Sequence, residues 1–348
     1  MLSDKKVVCP INLLEKASSK KGIKAAIVNA GKPLPMLAVL DSVNEKLIEP
    51  IFIGDKIEIQ KCADDLQWDI SKYEIIHEPI ENNTAEIAAK LASKDKVKII
   101  VKGHIHTDIL MKEVLKRQHK LINKTRLSHV WHMTLEKDDK PLIITDGALN
   151  VAPNSKTKMH ILKNVVNFAK RIGIDRPKIA ILSATEEVIE SVPTTIDAKE
   201  LTELAKSEKI DADVFGPLAF DNAISKKSAA IKGIKNEVAG LADILLVPNV
   251  ETGNSLVKMM IYFMGACAAG VVVGGKVPVV ITSRSDDAPA RLASITASAA
   301  NGGGTNIIEV SAPVSLTASS TRLNIGIALF NVFCPPFPGV TPATILVP

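Results

Sequence analysis

Short apolar runs alternate with longer amphipathic stretches along most of this chain, and that alternation constrains its fold more than any other feature. Parallel strands cannot be joined by a tight turn; they need a crossover, usually a helix. Residues 25–30, 50–54, 73–77 and 97–101 read as strands, each followed by a stretch that can be helical. After an apolar run at 127–133 the pattern restarts, with a strand at 142–145, an amphipathic run at 157–171 and a strand at 178–183. A helix around 198–209, a strand at 243–248 and a helix from Ser255 onward follow. The rhythm predicts a parallel sheet with a second α/β unit beginning near Leu127. Between Lys258 and Lys276 no charge occurs for 17 residues, which is short for a membrane span. With glycines at 265, 270, 274 and 275, that stretch reads as a buried helix followed by a glycine-containing turn.

The run at 277–292 carries the chemistry. Val279, Val280 and Ile281 read as an inner parallel strand that leads directly into Ser283, Arg284, Asp286 and Asp287. Either aspartate can cap the Ala-rich helix that follows, with Pro289 near its first turn. Open α/β sheets place ligands beyond the carboxyl ends of their strands. Arg284 has the fork that holds a phosphate, the helix N-terminus adds backbone donors, and Asp286 can take a proton. The same residues also describe an ordinary capped turn with solvated charges. The strand at 277–281 has no sheet of its own and is expected to rejoin the first unit, making the second an insertion with this turn at the cleft.

Composition excludes several classes. Only 3% of the 348 residues are aromatic, too few for a nucleic-acid stacking platform. The net charge of +5 suits an anionic substrate, although the lysines are dispersed. Cys9, Cys62, Cys267 and Cys334 show no metal-ligand spacing and fit reduced thiols in a cytoplasm, and the N-terminus lacks the apolar core of a signal peptide. His104 and His106, with Asp108 following, suggest a metal, but no third ligand is identifiable, so no metal site is assigned. The loop at 249–254 can approach a ligand, and a helix cap at Thr252 or Asn254 accounts for it equally well.

Six segments in order carry a family resemblance: 101–108 (VKGHIHTD) with Lys112, 142–148 (LIITDGA), 182–186 (LSATE), 215–221 (FGPLAFD), 247–254 (VPNVETGN) and 282–286 (TSRSD). Through them the chain resembles the phosphate acetyltransferase and phosphate butyryltransferase family over roughly residues 10–300, nearer to the butyryltransferase-like branch. The resemblance implies reversible acyl transfer between coenzyme A and inorganic phosphate, with acyl-CoA, acyl phosphate and phosphate as partners and no cofactor beyond coenzyme A as substrate. It also implies a cytoplasmic homodimer with a two-domain α/β/α sandwich like that of isocitrate and isopropylmalate dehydrogenases. Residues 1–126 with 277–301 would form the first domain, and 127–276 the inserted second.

By the same resemblance, Arg284 would hold the phosphoryl group and Ser283 would hydrogen-bond the acyl oxygen or the thiol. A cleft aspartate deprotonates the thiol; in the acetyltransferase branch it lies several residues beyond the Ser-Arg pair, where this chain has Pro289 and Ala290. Asp286 is the nearest carboxylate and the candidate base, with Asp287 the alternative. Lys102, Thr107, Lys112, Glu251 and Asn254 complete the expected substrate-binding set, Lys112 being a point charge where the family often has an arginine. Two other classes fit less of the chain: a metal-dependent dehydrogenase of related fold, and a non-catalytic coenzyme A-binding module. From Gly302 onward only Glu309 and Arg322 are charged in 47 positions, so the segment 302–348 reads as an atypical apolar tail that either packs against the domain or is foreign to it.

Overall fold

The computed structural model describes residues 2–19, 22–122, 125–135, 140–282 and 286–302. Ser283 and Arg284, and the tail beyond Gly302, lie outside the described residues. The rest forms a mixed α/β fold around a single sheet of eleven strands. The strands β1 (Ile23–Val28), β2 (Ile48–Gly54), β3 (Ile75–His77) and β4 (Ile99–Lys102) are parallel and lie in the order β3-β2-β1-β4. Continuing the sheet come β5 (Ser128–Thr134), β6 (Leu142–Thr145), β7 (Lys178–Leu182), β8 (Asp213–Leu218), β9 (Ile244–Leu246), β10 (Cys267–Val273) and β11 (Val279–Val280), in the spatial order β11-β10-β5-β6-β9-β7-β8. The last strand, β11, lies parallel against β4, with Val280 opposite Val101.

Among the described residues eleven α-helices cover both faces: α1 (Ile11–Ser18), α2 (Pro33–Asn44), α3 (Lys56–Asp65), α4 (Glu81–Ser93), α5 (Thr107–Leu115), α6 (Ser155–Arg171), α7 (Pro193–Ser207), α8 (Phe220–Ile224), α9 (Lys226–Ile231), α10 (Val250–Met264) and α11 (Ala288–Ala300). Side-chain alternation assigns the layers. Ala25 and Ile27 of β1 pack into a core shared with α1, α2, α3, α6, α7 and α11. Ala26 and Val28 point the other way, into a cluster with α4 and α5. On that second face the far half of the sheet packs against α8, α9 and α10. No helix among the described residues is long and apolar enough to cross a membrane.

Two expectations need correction. The sheet is mixed rather than parallel, because β10 runs antiparallel to both β11 and β5, and β5 antiparallel to β6. The uncharged stretch after Lys258 does begin as a helix ended by a glycine, but a strand was missed within it. The helix α10 starts earlier, at Val250, and ends at Met264, where Gly265 takes the left-handed conformation (φ 67°). Cys267–Val273 is then a strand buried at every position. A strand covered on both faces shows no polar alternation, so periodicity alone cannot separate it from a buried helix. The strand β8 was not anticipated, since Pro217 argues against a strand; it is tolerated because β8 is the sheet edge.

At the centre, Gly270 of β10 leaves room for two rings of β5. A Cβ there would stand 2.8 Å from Trp131 Cζ3 and 3.1 Å from the His129 ring. The His129 and Trp131 rings lie 4.4 Å apart. His132 points to the opposite face and is buried, so it is a packing residue and not a surface one. The Nδ1 atoms of His129 and His132 find no hydrogen-bond partner among the described residues. Burial holds both rings neutral, with pKa values pushed down to about 3 and about 4.

This burial makes stability depend on acid. Between the unfolded value of about 6.5 and the folded values, the unfolded chain binds protons that the folded chain refuses. Stability is therefore expected to fall as pH drops below about 6.5, by up to about 1.4 kcal/mol per pH unit for each ring, and the loss should level off near the folded values. Urea midpoints between pH 7.5 and 4.5 measure the slope, and His129→Gln should flatten it.

Candidate functional site

A cavity of about 520 Å³ opens at the carboxyl ends of β1, β4 and the strand leading through β11. Its lining includes Asn29, Leu34, Lys102, Gly103, His104, Thr282 and Arg291. The sequence creates this opening by bending β4 onto β1. Gly103 N donates to Val28 O at 2.9 Å and His104 N to Asn29 O at 2.9 Å, while the Asn29 side-chain amide donates back to His104 O at 2.5 Å. Asn29 itself has φ 51°, a left-handed conformation that asparagine adopts more readily than most residues. No side chain fits at position 103, where a Cβ would stand 2.4 Å from Val28 O and 2.7 Å from Asn29 O.

Around this bend the expected residues separate. Lys102, 8% exposed, ends β4 and lines the cavity. Thr107 is the first residue of α5, immediately beyond the lining, and the preceding His106 N is held by Glu81 Oε1 at 2.7 Å. His104 and His106 are exposed on either side of buried Ile105, and among the described residues no three His, Cys, Asp or Glu side chains converge. Lys112 is 67% exposed on α5, 3.6 Å from Asp108, and does not line the cavity. Glu251 and Asn254 lie in the first turns of α10, also outside its lining. The cap of α10 is Asn249, whose Oδ1 accepts from Thr252 N at 3.0 Å and Thr252 Oγ1 at 2.7 Å, so neither Thr252 nor Asn254 caps it.

The turn after β6 connects α10 to the first half of the sheet. Gly147 and Gly253 approach so closely that a Cβ on Gly253 would stand 2.5 Å from Gly147 Cα. Two residues on, Leu149 packs against the apolar cluster containing Val28, Ile105 and Val279. Asp146 organises the turn: its carboxylate accepts from Ala148 N, Leu149 N and Asn150 Nδ2 at 3.0, 2.9 and 2.6 Å. Burial raises the Asp146 pKa against the pull of these hydrogen bonds.

At the other wall, Asp287 is the N-cap of α11, its Oδ1 accepting from Ala290 N at 3.0 Å, and Pro289 lies in the first turn. Asp286 is thus released from capping. Arg291 was not anticipated. It is 5% exposed, and its guanidinium donates from Nε to Asp286 O at 3.0 Å and from Nη1 to Thr282 Oγ1 at 2.9 Å. Burial lowers its pKa, while the nearby Asp286 and Asp287 carboxylates work in the opposite direction. The available signal was that Arg291 is the one charged residue in the otherwise small and apolar stretch 288–300. The cavity therefore combines a buried ammonium and a buried guanidinium, a setting for an anionic group, with Glu81 the carboxylate of its lining.

Comparison with known proteins defines the class. A family profile described as phosphate acetyl/butaryl transferase matches residues 71–299. The phosphate acetyltransferase of Rickettsia prowazekii (strain Madrid E) is 39% identical over 286 residues, covering 82% of each chain. The phosphate butyryltransferase of Clostridium acetobutylicum is 36% identical over 288 residues, 82% of this chain and 96% of that one. In structure, a branched-chain phosphotransacylase from Enterococcus faecalis V583 aligns with a TM-score of 0.71 at 33% identity, over 80% of this chain and 98% of the other. A Salmonella typhimurium protein described as a putative 4-hydroxythreonine-4-phosphate dehydrogenase, at 13% identity and TM-score 0.55 over 81% of this chain and all of that one, shares the fold alone. These are acyltransferases in the first three cases. The chain belongs to the phosphate acetyltransferase and phosphate butyryltransferase family.

The bend at Gly103 generates a prediction. Gly103→Ala should push the end of β4 off β1, lowering stability by roughly 1–3 kcal/mol, the usual range for overpacking, and displacing Lys102. Gly22→Ala, whose added Cβ would meet nothing closer than 3.6 Å, is the control and should lie within about 0.5 kcal/mol of the parent. Urea unfolding of the two variants checks both.

Proposed function

We propose that this chain catalyses the reversible transfer of an acetyl or butyryl group between coenzyme A and inorganic phosphate. The observation that carries the reading is the pairing of family membership with a cavity holding buried Lys102, Thr282 and Arg291. Coenzyme A enters as a substrate, and no resident cofactor is assigned. The working unit is a cytoplasmic homodimer. Each chain is a two-domain α/β/α sandwich of the isocitrate and isopropylmalate dehydrogenase type, residues 1–126 with 277–301 forming one domain and 127–276 the insertion. The pairing of β11 with β4 supports that division.

The chemistry follows from the charges. A coenzyme A thiol has a pKa of about 8.5, so only a few per cent is thiolate near neutrality and a base accelerates attack. Asp286 takes the thiol proton, the sulfur bonds to the acyl carbonyl carbon, and the carbon–oxygen bond to phosphate breaks with its electron pair leaving on phosphate. Arg284 holds the phosphoryl group, and Lys102 supplies a second positive charge. Ser283 donates to the carbonyl oxygen as it becomes negative. Thr107, Lys112, Glu251 and Asn254 would contact the more distant parts of the substrates, with the close Gly147–Gly253 approach supporting α10 as the second wall.

Three measurements test this. Acetyl-CoA or butyryl-CoA with phosphate should yield free thiol at a rate that EDTA leaves intact; strict dependence on an added divalent ion would overturn the reading. Arg284→Lys keeps the charge but loses the bidentate fork, and should lower kcat/KM for phosphate by about tenfold or more. Asp286→Asn should slow turnover strongly near neutrality and recover in part as pH approaches the thiol pKa, whereas Asp287→Asn, which still caps, should change little. A pH–rate profile with the acid limb intact in the Asp286 variant removes that residue from the mechanism.

A further inference from the structure

A buried arginine in an alanine-rich helix needs a reason. On α11 the neighbours of Arg291 are Ala290, Leu292, Ala293 and Ser294, all but Leu292 buried. Removing a guanidinium from water is costly, and an apolar side chain of similar volume commonly serves stability as well or better. What an apolar residue cannot do is donate two hydrogen bonds from the edges of one rigid plane. The Arg291 guanidinium uses this geometry on two specific acceptors, Asp286 O at 3.0 Å and Thr282 Oγ1 at 2.9 Å.

The positions of those acceptors matter. Thr282 is the residue before Ser283, and Asp286 the residue after Ser285. Thr282 is itself buried, and the helix carrying Arg291 is anchored one residue beyond Asp286 by the Asp287 cap. The guanidinium therefore forms a short bridge, from the second turn of α11 to both flanks of the Ser-Arg-Ser segment, while lining the cavity.

We propose that Arg291 is a positioning residue: it ties Thr282 to Asp286 and so fixes the two residues that bracket Ser283, Arg284 and Ser285. Its catalytic consequence rests on the acyl-transfer reading above, but the bridge itself does not. Lysine at 291 preserves the charge yet cannot span both acceptors, and methionine preserves much of the volume without either property. The bridge thus separates shape from charge.

The test uses Arg291→Lys and Arg291→Met in the full chain, with hydrogen exchange read by mass spectrometry on peptides covering 282–290. Exchange at Thr282 and at Asp286 to Asp287 should rise by about tenfold or more in both variants, while α6 peptides keep the parent rates. Unchanged exchange at 282–287 overturns the proposal. A uniform rise across the chain overturns it as well, since that marks Arg291 as a general stabiliser. In the activity assay, both variants should lose kcat by about tenfold or more with KM for the acyl-CoA within about twofold, and millimolar guanidinium should restore part of the rate to Arg291→Ala. Activity that falls only in proportion to the unfolded fraction also overturns it. An inactive parent protein whose variants nevertheless show the local exchange change would refute the acyl-transfer reading and leave the bridge standing.

Discussion

The antiparallel strand β10 is the constraint on which the rest of the architecture depends. Among the described residues it is the only connection in the sheet between β11 and β5, and all seven of its residues are buried. Alternate side chains, Cys267, Ala269, Val271 and Val273, serve one core, while Ala268 and Val272 enter two different clusters on the other face. A single strand thus joins the three apolar clusters of the described residues. Its small residues permit this: Gly270 admits the His129 and Trp131 rings, and its amide finds Ser294 Oγ at 3.0 Å on α11. The thiol of Cys267 is correspondingly inert, its pKa raised chiefly by burial, as is that of Cys9, pushed up to about 11.

The cavity owes its character to the tight backbone approach at Gly103 and to buried charge, and a second tight approach lies beyond its lining. Gly103 brings β4 against β1, and Gly147 meets Gly253, so two of the six family segments meet each other and a third closes on β1 through places where a methyl group has no room. The cations then sit on rigid supports, Lys102 at a strand end and Arg291 on a helix, which is how a site is held to the tolerances that group transfer requires.

Much of this was legible in the sequence, for identifiable reasons. Strand β6 was read with its observed ends because Leu142–Thr145 is short, apolar and bounded by turn residues. The cap and proline at the start of α11 were legible because Asp-x-Pro carries its own local geometry. The helix α10 began earlier than expected because Asn249, not a residue further along, caps it. Strand β10 was hidden by burial on both faces, and β8 by a proline that its edge position and the register irregularity at Gly216–Pro217 allow. Arg291 was hidden for a different reason: its meaning lies in two acceptors, Thr282 and Asp286, and a residue's spatial partners are not written in its own neighbourhood. The fork of Arg284 pointed to a phosphate without help, whereas the role expected of Ser283 came from family likeness, which spacing alone could not supply.

The pairing of β11 with β4 also sets an order of events during synthesis. The early strands β3, β2, β1 and β4 can assemble as soon as they emerge, but the open side of β4 gains its neighbour only when the chain has reached Val279. Until then the growing protein presents an unpaired row of backbone donors and acceptors flanked by Ile99, Ile100 and Val101, an invitation to intermolecular pairing. Its safe passage to the native state therefore depends on a two-residue strand, Val279–Val280, arriving close to the end of the fold.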